Sequence, residues 1–251
     1  ELIIILKTVI HNNHSPFHDF ILLKNFYPLS VFSLLRESVQ FHLPNVGNDM
    51  NTTLTPQFWE SRYQQGTDRW DLGKAAPAFL SLLQSDQAPP VGKTIVLGCG
   101  RGYDTLLFAE AGHDVVGVDF APSAIAEGRQ LAQQGNLPVE FLQKDIFNLP
   151  ETYRHRFDYV VEHTCFCALP LEKRTAYIHL VHSLLKPQGE MLAIFFTHQR
   201  SGGPPHGIDP SQIRALFAPY FEILQLDPIE NSVPSRQGEE HFGRLRRRSQ
   251  Q

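Results

Sequence analysis

Cysteine is scarce in this chain, and its few cysteines do not suggest a disulfide framework. Only three occur among 251 residues, at Cys99, Cys165 and Cys167. The count is odd and two of them are two positions apart, whereas small secreted domains carry a larger and even set. The cysteine content therefore favours a reducing, cytoplasmic setting.

The sequence also lacks a strong excess of charge and a long hydrophobic run. Its formal net charge is −4, which gives no general attraction to nucleic acid or to an anionic membrane. No apolar stretch approaches the roughly 20 residues that a membrane span needs. The basic run at 244–248 is short and fits a solvated edge strand. These features predict a soluble domain that binds neither nucleic acid nor membrane, and we expect a monomer.

The first 49 residues differ in pattern from the rest. Their hydrophobic residues do not keep a period of 2 or of 3.6 over more than a few positions, and the first methionine is Met50. We therefore expect 1–49 to be an upstream extension of the reading frame and 50–251 to be the domain. A signal peptide is disfavoured because no basic n-region and no A-x-A cleavage site are present. An accessory helix around 20–38 remains the alternative.

From Met50 onward, predicted strands alternate with predicted helices. The strands cover 94–97, 114–118, 139–143, 157–162, 190–196, 221–225 and 241–246, and the helices cover 103–111, 123–134, 170–185 and a segment after Asp209. This alternation predicts an α/β fold, a Rossmann-like doubly wound, mostly parallel seven-stranded sheet with helices on both faces. Because no helix separates the last two strands, we expect a hairpin and one antiparallel strand.

A glycine-rich turn follows the first predicted strand. Gly98, Gly100 and Gly102 alternate with other residues, and the next strand ends at Asp119. An acid about 20 residues after the first glycine is placed to bind ribose hydroxyls. The spacing differs from the G-x-G-x-x-G of pyrophosphate-binding loops, so a nucleoside without phosphates fits better than NAD. S-adenosylmethionine is a common ligand of that kind.

Eight short motifs between Gln57 and Arg248 resemble those of one enzyme family. They are Phe58-Trp59-Glu60-x-x-Tyr63, Trp70-Asp71-Leu72-Gly73, Gly98-Cys99-Gly100-Arg101-Gly102-Tyr103-Asp104, Val116-Gly117-Val118-Asp119, Cys165-Phe166-Cys167-Ala168-Leu169, Leu185-Lys186-Pro187-x-Gly189-Glu190, Gly202-Gly203-Pro204-Pro205 and Pro234-Ser235-Arg236-x-Gly238. In this order they resemble the class I S-adenosylmethionine-dependent methyltransferases of the thiopurine methyltransferase family. Within it, the likeness is to the thiol, thiocyanate and halide methyltransferases.

The resemblance implies a cofactor site for S-adenosyl-L-methionine. It implies that the segment with Trp59, Tyr63 and Trp70 folds over the cofactor. It also implies that the remaining cofactor-binding residues are Gly98 at the amino-acid part with Gly100 beside it, Asp119 at the ribose, Asp145 and Ile146 at the adenine, and His163. For the two acids, the alternative is a strand-end turn or a helix N-cap, and for the tryptophans it is packing of an N-terminal helix on the core.

The resemblance further implies methyl transfer by in-line displacement to a small soft nucleophile, namely a thiol, sulfide, thiocyanate or halide. An anionic acceptor needs no general base, whereas a thiol with a pKa near ~8.5 must lose a proton. His206, which follows the Gly-Gly-Pro-Pro motif, is the predicted catalytic base, and His163 is a second candidate. The alternative for each is a histidine that is simply hydrogen-bonded.

The sequence does not determine which molecule accepts the methyl group. Glu162-His163 stands where the plant-type enzymes tend to carry Asp-Tyr, so a thiopurine-type or other heteroatom acceptor is the alternative substrate. A non-catalytic cofactor-binding module and an NAD-dependent oxidoreductase are the remaining alternatives.

A metal site is not predicted. Strand alternation would place His163, Cys165 and Cys167 on one face, but structural zinc sites use C-x₂₋₄-C spacing and a fourth ligand. We expect the two cysteines to be small apolar residues near the acceptor pocket.

Overall fold

The computed structural model describes residues 55–249. The predicted extension at 1–49 and the alternative helix at 20–38 lie outside these residues. Within the described range, no helix is both long and apolar enough to cross a bilayer.

Seven strands form a single sheet. They are β1 (Lys93–Leu97), β2 (Asp114–Asp119), β3 (Glu140–Gln143), β4 (Phe157–His163), β5 (Leu185–Phe196), β6 (Phe221–Pro228) and β7 (Glu240–Arg247). Their order is β3-β2-β1-β4-β5-β7-β6. The first five run parallel, and β7 is antiparallel to both β5 and β6. The predicted doubly wound sheet with one antiparallel strand is therefore confirmed.

Helices cover both faces of this sheet. They are α1 (Pro56–Gln65), α2 (Pro77–Leu83), α3 (Tyr103–Glu110), α4 (Pro122–Gln134), α5 (Pro150–Tyr153), α6 (Arg174–Leu184) and α7 (Pro210–Phe217). The predicted cap of α7 is present, because Asp209 and Gln212 form a reciprocal capping box. The helix expected over 170–185 is shorter, since it begins with a 3₁₀ turn at Leu171–Lys173 and Leu185 already belongs to β5.

Alternation along the central strands divides the core into two layers. In β1, Ile95 and Leu97 pack on the side of α6 and α7, whereas Val96 packs on the side of α2 and α3. Because both faces are covered, these strands are apolar almost throughout. The carboxyl ends of β1, β2 and β4 consequently meet at one edge of the sheet, which is where ligands bind in such folds.

Candidate active site

A cavity of about 270 Å³ opens at the carboxyl ends of β1 and β2. Seven of the predicted cofactor-binding residues line it, namely Trp59, Tyr63, Trp70, Gly98, Asp119, Asp145 and Ile146. The other two, Gly100 and His163, line a smaller recess of about 60 Å³. Tyr63, Trp70 and Gly98 border both spaces, so the structure brings the predicted residues together. We call the larger space the cofactor cavity.

The glycine turn approaches this cavity through backbone conformations that favour glycine. Gly98 and Gly100 have φ angles of 61° and 52°, in the left-handed region. A Cβ atom on Gly98 would lie 2.9 Å from the Cys165 side chain. The amide of Gly100 donates to Asp119 Oδ2 at 2.9 Å, which fastens the turn to the end of β2.

Asp119 is a buried carboxylate that borders the cofactor cavity. Its side chain also accepts the amide of Ala121 on Oδ1 at 2.9 Å. Burial raises the pKa of Asp119, although the backbone hydrogen bonds oppose this shift. Each oxygen accepts one of these two amides and has a second lone pair available. Further donors such as a pair of ligand hydroxyls fit this carboxylate, because they would stabilise its charged form.

Three aromatic rings form one wall of the cofactor cavity. The centroids of Trp59 and Trp70 lie 5.0 Å apart, and those of Tyr63 and Trp70 lie 5.5 Å apart, both edge to face. Trp70 Nε1 donates to the Tyr63 hydroxyl at 3.1 Å. Within the described part of the chain, none of the α1 residues is buried, so Trp59 and Tyr63 border the cavity rather than the core. Aromatic faces at a cavity are suited to a cation.

Arg101 attaches the segment that carries Trp70 to the glycine turn. Its guanidinium donates to Asp68 and to Asp71, on either side of Trp70, and to Glu127 of α4 at 2.6 Å. Burial alone would lower the pKa of Arg101, but these three carboxylates raise it above its usual value. Sequence reasoning missed this attachment. The available signal was an arginine inside the glycine motif and two acids flanking a tryptophan.

A second attachment fixes α1 itself. Glu60 accepts the amide of Ser123 at 3.0 Å and also its hydroxyl, at the first turn of α4. An acidic side chain at a helix N-terminus is favoured by the helix dipole. The two attachments hold the aromatic wall over the carboxyl ends of the strands.

The far end of the cofactor cavity contains Asp145 and Ile146. Asp145 accepts the amide of Phe147 at 2.9 Å and caps the 3₁₀ helix Ile146–Asn148. The N-cap alternative is therefore realised, and the side chain also lines the cavity. Contact of these residues with an adenine stays a prediction.

His163 lies in a chain of hydrogen bonds beside the smaller recess. Its Nδ1 is 2.9 Å from Asp104 Oδ2, and its Nε2 is 2.9 Å from Arg236 Nη1. Because a guanidinium can only donate, Nε2 accepts this bond and Nδ1 carries the proton given to Asp104. Both ring nitrogens are thus engaged, Nδ1 with Asp104 and Nε2 with Arg236. Its predicted role as a cofactor contact or base stays a prediction.

The expected alternation of His163, Cys165 and Cys167 on one face is wrong. β4 ends at His163, and Thr164 has a φ of 62°, so the strand geometry stops there. Cys165 borders the cofactor cavity, while the Cys167 thiol donates to the Thr164 carbonyl at 3.5 Å. Across residues 55–249, no group of three or more His, Cys, Asp or Glu side chains is arranged to hold a metal.

A second space of about 580 Å³, which we call the acceptor cleft, adjoins the cofactor cavity. The two share Trp59, Trp70, Thr164 and Ala168 as lining residues. Its other walls are formed by Phe58, Arg62, Thr67, Arg69, Cys167, Phe196, Arg200, Pro204, Pro205, Ser235 and Arg236. Four arginines border the cleft, which is otherwise largely apolar; Arg200 and Arg236 are paired with Glu239 and Glu240, whereas Arg62 and Arg69 form no ion pair within residues 55–249. The cleft therefore suits a small molecule with negative charge.

His206 directly follows the two prolines that line the acceptor cleft, but it does not line the cleft with them. Its amide donates to the Cys167 carbonyl at 2.6 Å, and its carbonyl accepts from Arg174 at 2.9 Å. Its ring lies against Gly203, where a Cβ atom would be 2.2 Å from Nδ1. Among the residues that the structure describes, His206 is not one that lines the cavity or the cleft. Its role as a base stays a prediction.

Glu162, at the end of β4, was noticed in the sequence only as a departure from the plant-type pattern. One carboxylate oxygen accepts the amides of Cys165 and Phe166, each at 2.9 Å. The other oxygen is buried without a hydrogen-bond partner in the described range 55–249. Burial raises the pKa of Glu162 to about 7, against the effect of the two amides.

Known proteins with similar sequences are methyltransferases. The family model described as thiopurine S-methyltransferase matches residues 54–248. Thiocyanate methyltransferase 1 of Arabidopsis thaliana is 29% identical over 80% of this chain and 89% of its own length. Probable thiol methyltransferase 2 of the same plant is 32% identical over 76% of this chain and 85% of its own length.

Solved structures share the fold. The 1,6-didemethyltoxoflavin-N1-methyltransferase of Burkholderia thailandensis, solved with S-adenosylhomocysteine, has a TM-score of 0.63 at 23% identity. It aligns with 77% of this chain and 87% of its own. Magnesium protoporphyrin IX methyltransferase of Synechocystis has a TM-score of 0.61 at 18% identity, over 77% of this chain and 99% of its own. The predicted class, S-adenosylmethionine-dependent methylation of small molecules, is confirmed by the family match and the sequence relatives. The chain belongs to the thiopurine S-methyltransferase family.

Proposed function

We propose that this chain binds S-adenosylmethionine in the cofactor cavity and methylates a small soft nucleophile that enters the acceptor cleft. The acceptor class is a thiol, sulfide, thiocyanate or halide. The observation that carries the proposal is the shared wall of Trp59 and Trp70 between the two spaces. A methyl group presented at that wall is within reach of an acceptor on its other side. We further propose that the protein acts as a cytoplasmic monomer.

The residues of the cofactor cavity match the parts of this cofactor. When bound, S-adenosylmethionine supplies an electrophilic methyl group on a sulfonium centre. The faces of Trp59, Tyr63 and Trp70 stabilise such a cation by about 0.5–2 kcal/mol for each good contact. Asp119 accepts hydrogen bonds from the ribose hydroxyls. The loop with Gly98 allows a close approach of the backbone to the amino-acid part.

The acceptor cleft favours displacement by an anion. A soft anion and a sulfonium neutralise each other as they react, so removal of water by apolar walls assists the reaction. Phe196, Pro204 and Pro205 provide such walls, and Arg62 and Arg69 add positive charge at the border. The cleft also fixes the angle of approach, and well-oriented partners reach effective molarities of about 10⁵–10⁸ M. No covalent enzyme intermediate is required.

The size of the acceptor cleft supports a second candidate within the same chemistry. A volume of about 580 Å³ exceeds what a halide or thiocyanate fills, so a heteroaromatic thiol of the thiopurine type also fits. The names of the Arabidopsis relatives favour the smaller acceptors, and the cleft volume favours the larger ones.

An acceptor panel tests the proposal. The full chain is incubated with S-adenosylmethionine and sulfide, thiocyanate, iodide, 6-mercaptopurine or phenol, and methylated products are measured by mass spectrometry. We expect product from at least one sulfur or halide acceptor and little from phenol, whose oxygen is a harder nucleophile. Binding of S-adenosylmethionine without product would support a non-catalytic module. Binding of NADH in its place would support an oxidoreductase.

We also propose that His206, which directly follows the cleft-lining Pro204 and Pro205, takes the proton from acceptors that arrive as neutral thiols. His206→Ala should then slow methylation of a high-pKa thiol by about 10²–10⁴-fold, with a much smaller effect on iodide, which has no proton to lose. His155→Ala, on an exposed histidine outside both spaces, is the matched control. An unchanged ratio of thiol to iodide turnover would remove His206 from the chemistry.

A further inference from the structure

Arg247 is a buried cation without a protein partner among the described residues. The residue is 9% exposed, and its buried Nε atom makes no hydrogen bond within residues 55–249. The neighbouring arginines of β7 differ, since Arg244 and Arg246 both donate to the buried carboxylate of Glu190. An unpaired buried charge is unfavourable in a folded protein. Such a charge is expected where the missing partner is a ligand.

Arg247 lies at the end of the sheet opposite to the cofactor cavity. It is the last residue of β7 and pairs with Phe221, the first residue of β6. Two adjoining recesses of about 660 and 720 Å³ meet there and share Arg247, His182 and Tyr220 as lining residues. We call this combined space the Arg247 groove. Neither recess shares a lining residue with the acceptor cleft, and one of them shares a single residue, Phe147, with the cofactor cavity.

Among residues 55–249, the Arg247 guanidinium is the one charged group on the floor of the Arg247 groove. His182 is buried, and its Nε2 lies 3.1 Å from the backbone carbonyl of Arg248, to which it donates. Burial lowers the pKa of His182, the hydrogen bond to the Arg248 carbonyl opposes this shift, and the charge of Arg247 lowers the pKa further. The Tyr220 ring packs against both His179 and His182, with centroids 4.7 and 6.1 Å apart. The floor is thus preformed around the Arg247 guanidinium.

The border of the groove is mainly basic. Arg154, His155 and His179 line one recess, and Arg248 lines the other. The acidic residues at the border are Glu172 and Glu222, one in each recess, and both are exposed. Within the described part of the chain, neither forms an ion pair with Arg247, and Glu222 is 3.9 Å from Arg246 instead.

We infer that the Arg247 groove binds a phosphate group, either as free phosphate or as a phosphomonoester. The planar guanidinium offers several donors in a fixed geometry that matches an oxyanion. The basic border adds donors for the remaining oxygens. The volume accommodates more than one phosphate group, which allows an organic remainder. This site is additional to the methyl-transfer site and does not depend on it.

The test uses the full chain with two probes, inorganic phosphate and glucose 6-phosphate, a phosphomonoester without the adenosine that the cofactor cavity is proposed to bind. Either ligand at tenfold above its Kd should raise Tm by roughly 3 °C or more, because binding to the folded state stabilises it. Arg247→Met should abolish this rise. Because the variant removes an unpaired buried charge, its Tm in phosphate-free buffer should equal or exceed that of the unchanged protein. Comparison of the two probes shows whether the free ion or the ester is preferred.

Arg246→Met is the matched control. Arg246 lies one residue before Arg247, on the opposite face of β7. The substitution leaves Glu190 with fewer hydrogen-bond donors, so Tm without ligand should fall, while the rise of Tm on adding phosphate should remain. The inference is overturned if Arg247→Met retains the phosphate effect, or if neither probe binds at millimolar concentration. It is also overturned if the variant melts at a clearly lower temperature without ligand, since Arg247 would then have a structural role.

Discussion

The assignment of Asp119 to the ribose can be tested with Asp119→Asn. The substitution keeps the size of the side chain and removes its charge. In the structure, the two carboxylate oxygens accept the amides of Gly100 and Ala121, each at 2.9 Å. An amide side chain can accept only through its oxygen, so one of these contacts is lost together with one ligand contact.

The expected loss follows from these contacts. A hydrogen bond to a charged group contributes about 1.5–3 kcal/mol, so losing one such bond to the ribose should weaken S-adenosylmethionine binding by about 10–100-fold. The backbone contact that is lost should lower Tm of the free protein by a few degrees. The raised pKa of Asp119, caused first by burial, limits this second effect because the buried charge is itself costly.

Isothermal titration calorimetry with S-adenosylmethionine measures the affinity, and calorimetric melting measures the stability. Asp114→Asn is the control, because it makes the same substitution at the exposed first residue of β2. The control should leave both the S-adenosylmethionine affinity and Tm nearly unchanged. If Asp119→Asn binds with unchanged affinity, the ribose assignment is refuted, whatever the change in Tm.

Three further predictions concern the remainder of the chain. Arg101→Met should leave Asp68 and Asp71 unpaired and loosen the aromatic wall, so S-adenosylmethionine affinity should fall about tenfold. Titration followed by the fluorescence of the chain's two tryptophans measures this affinity. Unchanged affinity would contradict the role of Arg101 in attaching the wall. The raised pKa of Glu162, about 7 against 4.5, means that its contribution to stability is present below about pH 4.5 and is lost as pH rises through 7. As pH rises from about 5 to 8, the free energy of unfolding of Glu162→Gln, measured in urea, should therefore increase by about 2 kcal/mol relative to that of the unchanged protein. If the difference between the two proteins stays constant over this range, the effect of burial on Glu162 is contradicted. A chain that begins at Met50 should melt cooperatively and bind cofactor as the full chain does, and loss of cooperative melting would show that 1–49 belongs to the fold.

Most of the fold could be predicted because its signals are local. The apolar strands, the capping residue Asp209 and the glycine turn after β1 are each recognisable from a few consecutive residues. The expectation that the basic run at 244–248 is a solvated edge strand is wrong, because β7 lies between β5 and β6 and Arg244 and Arg246 bind the buried Glu190. A hairpin pattern gives the antiparallel direction of β7 but not its position in the sheet.

The site could be predicted only where the residues belong to motifs. Long-range pairs were not available from the sequence, because Arg101 and Asp68 are 33 positions apart and Arg236 and His163 are 73 positions apart. These pairs depend on how segments return to one edge of the sheet. The alternation expected beyond His163 failed for a local reason, since Thr164 adopts a left-handed conformation that ends the strand.

The proposed reaction brings a soft nucleophile from the acceptor cleft to a methyl group held at the Trp59 and Trp70 wall. The most direct measurement is the stoichiometry of a single reaction of the full chain with S-adenosylmethionine and a thiol from the panel. Methyl thioether and S-adenosylhomocysteine should form in equal amounts and should continue to form over many turnovers. Saturable binding of S-adenosylmethionine with no methyl thioether from any thiol or halide would contradict it.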